Sequence, residues 1–330
     1  MRPLRVGVLG VGVWGDKHAR VYAALPEAEL VGVYDPDGAR AQQVAAAHGT
    51  RAFASAEALL EACEAVSVAV PTVAHRAVAE RAAAAGRHVL VEKPMAPTTA
   101  DADAMLEAAQ HAGVQLQVGH VERFNPAMLA ARSKVSSPKF IEAHRLALFQ
   151  PRSLDIDVVF DLMIHDIDLV LEAVGEAPAS VSAVGVAVLS DNEDIANARL
   201  EFRDGCVANL TASRVSQERL RRVRFFQSDS YLSVDLFEKS ADYLHVDLAR
   251  LRSAAHPLSK VGAIGKSKLA VGPGEPLALE LEAFVRSLRG PAPGAAPGAA
   301  GRAALEVAAA VRAAMKQRAA HWAARTSAAS

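Results

Sequence analysis

Glu92-Lys93-Pro94 follows directly on the apolar run His88 to Val91, and farther on Asp161-Leu162-Met163-Ile164-His165-Asp166-Ile167-Asp168 sets a carboxylate four residues before an imidazole. These residue types move protons. A lysine at a strand end can polarise a hydroxyl group and lower the pKa of an alcohol beside it. Histidine takes a proton near neutral pH, and a carboxylate one helical turn away fixes its tautomer and steadies the imidazolium. At i, i+4, Asp161 and His165 share a helix face, with Asp168 on the same side. The second cluster admits another chemistry. Asp155, Asp157, Asp161, His165 and Asp168 are carboxylates and an imidazole, which suit several divalent ions.

What the protons are coupled to is written near the amino terminus. Between Leu4 and Asp35 the chain reads as an apolar strand, then Gly10-Val11-Gly12-Val13-Trp14-Gly15, then a helix, then a second apolar strand that ends on an acid. That order suits a dinucleotide. Gly10 permits a tight turn, Gly12 lets the backbone approach a pyrophosphate, and Gly15 lets the helix pack on the strand. The pyrophosphate then meets unpaired amides at the positive end of the helix, beside Val13 and Trp14. Asp35 stands 20 residues beyond Gly15, where a carboxylate holds both hydroxyls of the adenosine ribose and repels a 2′-phosphate. NAD is the expected cofactor. With nicotinamide as hydride acceptor, Lys93 and His165 complete an alcohol oxidation, and no metal is needed.

The elements that must position these residues fall into two groups. Up to about Val118, short apolar strands alternate with alanine-rich amphipathic helices, the pattern of a parallel α/β sheet covered on both faces. Strands are expected at Leu4 to Leu9, Leu30 to Tyr34, Arg51 to Phe53, Ala65 to Val70, His88 to Val91 and Val114 to Val118. Lys93 then lies at the carboxyl edge of the sheet, where ligands bind. Thr98 is placed to cap a helix that runs to His111 and stops at Gly113.

Beyond Val118 the pattern changes. A crossover helix is expected after Asn125-Pro126, a long strand from Phe140 to Phe149, and a helix from about Val158 to Val174. Strands follow at Ser180 to Leu189, Ile195 to Phe202, Cys206 to Ser213, Leu220 to Gln227 and Tyr231 to Leu236, with Arg203-Asp204-Gly205 as a hairpin turn. This is an α+β domain with a mostly antiparallel, open-faced sheet, and an uncovered face finds a partner subunit. Two helices finish the chain, Pro276 to Leu288 and Ala303 to Arg318, separated by a Gly, Ala and Pro loop from Gly290 to Gly301. The expected division is a Rossmann-type domain over 1–121 and a substrate-binding and oligomerisation domain over 122–330.

Composition narrows the classes. The 330 residues fit two domains, and 51% hydrophobic with 22% charged residues marks a globular chain. A net charge of −1 favours neither nucleic acid nor an anionic membrane as partner. The longest uncharged stretch is too short to span a bilayer. Cys63 and Cys206 stand far apart, indicating neither a zinc site nor a disulfide framework. The first strand begins at Leu4, leaving no room for a signal peptide, so a cytoplasmic protein is expected.

The glycine fingerprint, Glu92-Lys93-Pro94 after a strand, and Asp161 with His165 on the first long helix of the second domain resemble the glucose-fructose oxidoreductase and inositol dehydrogenase family (Gfo/Idh/MocA) along essentially the whole chain. The resemblance implies that His165 is the general acid/base, that Lys93 polarises the hydroxyl, and that Asp161 contacts and orients the substrate. It also implies a cis Lys93-Pro94 peptide and places Val70, Pro71, Thr72, His75 and Glu92 along the cofactor. A finer resemblance lies in His120-Val121-Glu122-Arg123-Phe124-Asn125-Pro126 and Pro151-Arg152-Ser153. These look like the members that oxidise the 3-hydroxyl of UDP-N-acetylglucosamine, or of its uronic acid, to a 3-keto sugar. His120, Arg123, Asn125 and Arg152 then become candidates for holding the diphosphate or the sugar. Met163 stands where many members carry glycine, which argues against small polyols such as inositol. Two other readings remain open: a dehydrogenase of free sugars, sugar acids or polyols, and a non-catalytic NAD(H)-binding sensor.

Overall fold

The computed structural model describes residues 2–150, 156–247, 251–252, 263–290 and 296–327. They form two compact units, Met1–Phe124 with Gly274–Leu305, and Asn125–Pro273 with Glu306–Ser330. The segment Gly274–Leu305, which the sequence division assigns to the second domain, therefore packs within the first unit.

In the first unit a sheet of five strands has the order β2-β1-β3-β4-β5, with β1 (Leu4–Leu9), β2 (Ala28–Tyr34), β3 (Ala65–Val68), β4 (His88–Glu92) and β5 (Leu116–Gly119). Every pairing is parallel. The crossovers carry α1 (Val13–Ala24), α2 (Gly38–Ala47), α3 (Ala56–Ala62), α4 (His75–Ala84) and α5 (Thr99–His111). The expected sixth strand at Arg51 to Phe53 is only an isolated bridge between Val33 and Ala52. The chain makes two backbone bonds to Val33 there and turns away, because Ser55 accepts from the Ala58 amide and starts α3. The cap on α5 is as expected, with Thr98 accepting from the Asp101 amide and Gly113 at φ +66° behind it.

α8 (Pro276–Ser287) supplies Leu277, Leu281, Phe284 and Val285 to a buried cluster with Val6, Tyr22 and Leu90, which ties the returning segment to the first sheet. α9 (Gly298–Ser327) begins inside the expected Gly, Ala and Pro loop, five residues before Ala303. A Cβ on Gly301 would lie 2.3 Å from Val118, and one on Gly298 2.7 Å from Leu106. Those glycines are helical because the first turn lies directly on the sheet.

In the second unit, α6 (Pro126–Ala131) precedes β6 (Phe140–Leu146). A helical segment follows, then β7 (Ser180–Val186), β8 (Ile195–Glu201), β9 (Val207–Ser213), β10 (Leu220–Phe226) and β11 (Ser230–Asp235). The sequence reading missed β12 (Ser240–Val246) and β13 (Ile264–Lys268), whose mixed polar residues give no clean alternation. They complete an eight-stranded sheet of order β13-β12-β11-β10-β6-β9-β8-β7, antiparallel except for the β6–β9 pair. Along β8, Ala196, Ala198 and Leu200 are buried while Asn197, Arg199 and Glu201 are exposed, the period-2 alternation of a sheet with one covered face. The Arg203-Asp204-Gly205 turn is present, with Gly205 at φ +86° and its N–H donating to Phe202 O at 3.1 Å.

The helix expected from Val158 is not uniform. Val159–Met163 is a π-helical turn and α7 (Ile164–Val174) continues from it. Asp157 starts the turn by accepting from the Val159 and Phe160 amides at 3.0 and 3.1 Å. Such turns are rare and frequent at functional sites.

Candidate active site

The first unit builds a dinucleotide cradle. The Gly10 N–H donates to Tyr34 O at 2.8 Å, and its φ of +82° is open only to glycine without strain. A Cβ on Gly15 would lie 1.8 Å from Gly10 O, whereas one on Gly12 would meet nothing within 4 Å. Gly15 is thus required for helix to meet strand, and Gly12 faces open space that a ligand can fill. The start of α1 has no side-chain cap, so its first amides remain available to a pyrophosphate. Val13 and Trp14 are 75% and 40% exposed at that opening, with Lys17 Nζ 4.4 Å from the Trp14 ring centre.

Asp35 closes β2 and is buried. Its Oδ2 accepts from the Val11 amide and its Oδ1 from the Asp37 amide, each at 2.9 Å, which leaves further lone pairs for ribose hydroxyls. The carboxylate therefore fastens the glycine loop as well as offering itself to a cofactor. Arg40 Nη1 stands 3.4 Å from Asp35 Oδ1. These residues fit NAD.

At the carboxyl edge of β3, Val70 is half-buried, Pro71 exposed and Thr72 half-buried, and Thr72 opens the short turn into α4. His75 is buried at the start of α4. One ring nitrogen faces Val70 O at 2.9 Å and the other faces Pro94 O at 3.1 Å and Met95 O at 3.3 Å. His75 thus ties the β3 loop to the Glu-Lys-Pro turn. Burial pushes its pKa down, against the carbonyls of Val70, Met95 and Pro94 and the charge of Glu92.

The Lys93-Pro94 peptide is cis, as the resemblance implied. Lys93 is half-buried, and its amide donates to Glu92 Oε2 at 3.2 Å. Glu92 Oε1 lies 2.9 Å from His18 Nε2, His18 Nδ1 lies 3.0 Å from Ser67 Oγ, and Ser67 Oγ lies 2.9 Å from Tyr22 Oη. Burial raises the Glu92 pKa, but His18 and the Lys93 charge outweigh it and the carboxyl is held below its usual range. Burial pushes the Tyr22 phenol far above its ordinary value. The sequence reading named neither His18, Tyr22 nor Ser67. Their signals were a serine in the apolar run of β3 and a histidine and tyrosine one turn apart on the inner face of α1.

His120 and Arg123 are also in the first unit and buried, His120 directly after β5 and Arg123 in the short turn Val121–Phe124 that follows it. The Arg123 amide donates to His120 O at 3.0 Å.

The second unit carries the proton-transfer candidates. Asp161 lies within the π turn, its amide donating to Asp157 O at 3.1 Å. His165 is half-buried on the first turn of α7. Asp166, on the neighbouring face, is clamped by Arg145 of β6 through two bonds of 2.8 Å, both residues buried. This pair fixes α7 on the sheet. Asp168 is buried. Asn125 caps α6, accepting from the Ala127 amide at 3.1 Å and donating to Leu236 O at 2.9 Å, so its amide serves the fold. Met163 is 0% exposed. It belongs to the core, and the substrate selectivity expected of it has no support from its position. Arg152 and Asp155 lie outside the described residues. Among the described residues no group of three or more His, Cys, Asp or Glu is placed to hold a metal ion. Burial sends the pKa of Asp157, another member of that cluster, upward.

Asp161 and Leu162 line a cavity of about 230 Å³ together with Leu148, Arg214, Arg219 and Arg221. Arg214 is fixed there: its Nε donates to Asp194 Oδ1 at 2.8 Å, Nη1 to Ile156 O at 2.8 Å, and Nη2 to Ser190 Oγ at 3.0 Å. Against the cost of burial, the Leu189 amide and Arg214 keep the Asp194 carboxyl far below its ordinary pKa. The three arginines went unnoticed in the sequence because more than 50 residues separate them from Asp161, and only the β9–β10 region brings them back to it.

Residues 4–120 match the oxidoreductase family with NAD-binding Rossmann fold, Gfo/Idh/MocA, and residues 128–232 match the Gfo/Idh/MocA C-terminal domain. The chain is 42% identical over 286 residues to UDP-N-acetylglucosamine 3-dehydrogenase of Acidithiobacillus ferrooxidans, covering 86% of this chain and 88% of that protein. A solved structure of that dehydrogenase superposes with a TM-score of 0.87 at 41% identity, covering 96% of this chain and 99% of the other. A scyllo-inositol 2-dehydrogenase (NAD+) of Bacillus subtilis is 30% identical, over 64% of this chain and 68% of its own. Among the described residues, no helix is long and apolar enough to cross a membrane.

Proposed function

The chain belongs to the Gfo/Idh/MocA oxidoreductase family, and from that premise we propose that this NAD-dependent dehydrogenase oxidises the 3-hydroxyl of a nucleotide sugar, UDP-N-acetylglucosamine, to the 3-keto sugar. The observation that carries the substrate is the likeness, over nearly the full length of both chains, to a dehydrogenase named for that compound.

NAD, when bound, supplies the hydride acceptor. The chain supplies the rest. The glycine loop and the first amides of α1 bind the pyrophosphate, Asp35 holds the ribose, and the segment Val70 to His75 lines the cofactor with Glu92. Lys93 polarises the sugar hydroxyl, and its charge is worth more on the developing alkoxide than on the neutral alcohol. His165 takes the hydroxyl proton, and Asp161 orients the substrate. His120, Arg123 and Arg152 are assigned to substrate, with Asn125 shaping the chain between them.

The functional division remains NAD binding over 1–121 and substrate binding with oligomerisation over 122–330. The eight-stranded sheet serves as a homo-oligomer interface through its uncovered face, near which Val186, Val188 and Leu189 are exposed. The cytoplasm is the proposed compartment.

The test is incubation of the protein with NAD and, separately, UDP-N-acetylglucosamine, free N-acetylglucosamine and inositol, following the absorbance of reduced nicotinamide. Turnover of the UDP sugar alone is expected. Turnover of free sugars or polyols instead would move the reading to a free-sugar dehydrogenase. Retained cofactor with no turnover on any of them would make the protein a sensor.

A further inference from the structure

We infer that His18 is a positioning residue for Lys93, acting through the side chain of Glu92. This role rests on the one proposed for Lys93 in the oxidation and deepens it. The Lys93 amide is the first beyond the end of β4, and it donates to Glu92 Oε2 at 3.2 Å. The Glu92 side chain thus folds back on the backbone that carries Lys93. Its other oxygen, Oε1, lies 2.9 Å from His18 Nε2. A Cβ on Gly119 of β5, the residue paired with Glu92, would stand 3.0 Å from that same oxygen. Glycine at that position leaves the space that the carboxylate occupies.

His18 is itself held. It shares the buried face of α1 with Tyr22, one turn on. Its Nδ1 lies 3.0 Å from Ser67 Oγ, which Tyr22 Oη meets at 2.9 Å. All four side chains are buried, where a polar atom left unpaired is costly. One assignment of hydrogens serves the whole chain: Tyr22 O–H donates to Ser67 Oγ, Ser67 O–H to His18 Nδ1, and His18 Nε2–H to the Glu92 carboxylate. Burial, which raises the phenol pKa, keeps Tyr22 a donor. Against its own burial, Glu92 is held ionised by His18 and then by the Lys93 charge. Apolar side chains at positions 18, 22 and 67 would pack α1 on β3 about as well; what the polar chain adds is a fixed seat for one carboxylate. From the other side, His75 meets Pro94 O at 3.1 Å and Met95 O at 3.3 Å. The backbone is therefore gripped before and after Lys93, and a misplacement of about 1 Å in such a group costs about a hundredfold in rate.

The experiment is a double-variant cycle in the full chain, with steady-state kinetics on NAD and UDP-N-acetylglucosamine and calorimetry of NAD binding. His18→Leu should lower kcat about tenfold or more, with KM for both substrates and NAD affinity near those of the wild type. His18→Gln, whose amide N–H can reach the same oxygen, should recover most of the loss. In a Lys93→Met background, His18→Leu should cost nothing further, because residues that act as one unit are not additive. An equal fall in both backgrounds, or an unchanged kcat in His18→Leu itself, overturns the positioning role and leaves the proposed reaction standing. A Lys93→Met protein as active as the wild type, or a wild type without turnover, overturns the role of Lys93 and this one with it. If His18→Leu binds no NAD, Ser67→Ala, which removes only the partner of Nδ1, takes its place in the cycle with a smaller expected loss.

Discussion

His18 and Glu92 meet at 2.9 Å, Nε2 to Oε1, with the histidine buried, although 74 residues separate them in the chain. The contact runs from the helix that follows the glycine loop to the residue that precedes Lys93. Helix α1 and the Glu-Lys-Pro turn are thereby fixed to each other through one imidazole, and Ser67 and Tyr22 close the chain of bonds behind it.

Replacing His18 with Leu leaves the Glu92 carboxyl buried without that partner. A stability loss of about 1–3 kcal/mol is expected, read as a lower midpoint in urea. The folded Glu92 pKa is lowered, so the stability it contributes is present above the unfolded carboxylate value and is lost as pH falls through the folded one. In His18→Leu that acid-side loss should shrink, and an unchanged acid profile would show that His18 does not hold the carboxylate ionised.

His75 adds a second pH dependence of the opposite origin. Its folded pKa is lowered, so as pH falls the unfolded chain takes up a proton first, near 6.5, and the folded state loses stability from there down to the folded value. The thermal midpoint should drop between pH 7.5 and 5.5, on either side of that value. The drop should be smaller in His75→Asn. An equal slope in both proteins would assign it to other groups.

Lys93→Met keeps most of the length of the unbranched side chain and removes its charge. If the ammonium acts on the reacting hydroxyl, kcat should fall by about 10²–10⁴ while NAD affinity stays near that of the wild type. Comparable losses in both would make Lys93 a cofactor contact.

Asp35→Ala removes the charge that opposes a 2′-phosphate and leaves Arg40, which stands 3.4 Å from the carboxylate. The ratio of kcat/KM for NAD over NADP should fall about tenfold or more, a change of about 1.4 kcal/mol in relative transition-state binding. Because Asp35 also accepts from the Val11 amide, affinity for NAD itself should fall at the same time. A preserved preference would place the discrimination elsewhere.

Arg145→Met leaves Asp166 buried without its counter-charge. Removing one partner of a buried pair costs about 3–5 kcal/mol, so denaturant should unfold the variant much earlier. A loss within about 0.5 kcal/mol, as for an ordinary surface change, would mean that the α7 attachment rests on its apolar side chains.

The glycine loop, Asp35 and the Glu-Lys-Pro turn were readable from residue order because each works through local geometry: a backbone angle, a strand end, a helix start. The alternation of short strands with helices likewise announced the parallel sheet, and the hairpin at Arg203-Asp204-Gly205 carried its own turn residues. Arg51 to Phe53 misled, since a three-residue segment too short for a ladder looks the same as an edge strand until its neighbours are known. The π turn over Val159–Met163 was invisible for a similar reason, as one shifted hydrogen bond leaves no mark on the apolar period.

What residue order alone determined is the cofactor, the family and the residue types proposed to move the proton, all of them carried by short runs of sequence. Tertiary structure decided who supports them. It joined His18 to Glu92, gave His75 to two loops at once, spent Asn125 on a helix cap and Met163 on the core, and gathered Arg214, Arg219 and Arg221 beside Asp161. Those relations depend on strand register and on which face of each helix is buried. Both are settled by packing of segments far apart in the chain, which no local pattern encodes.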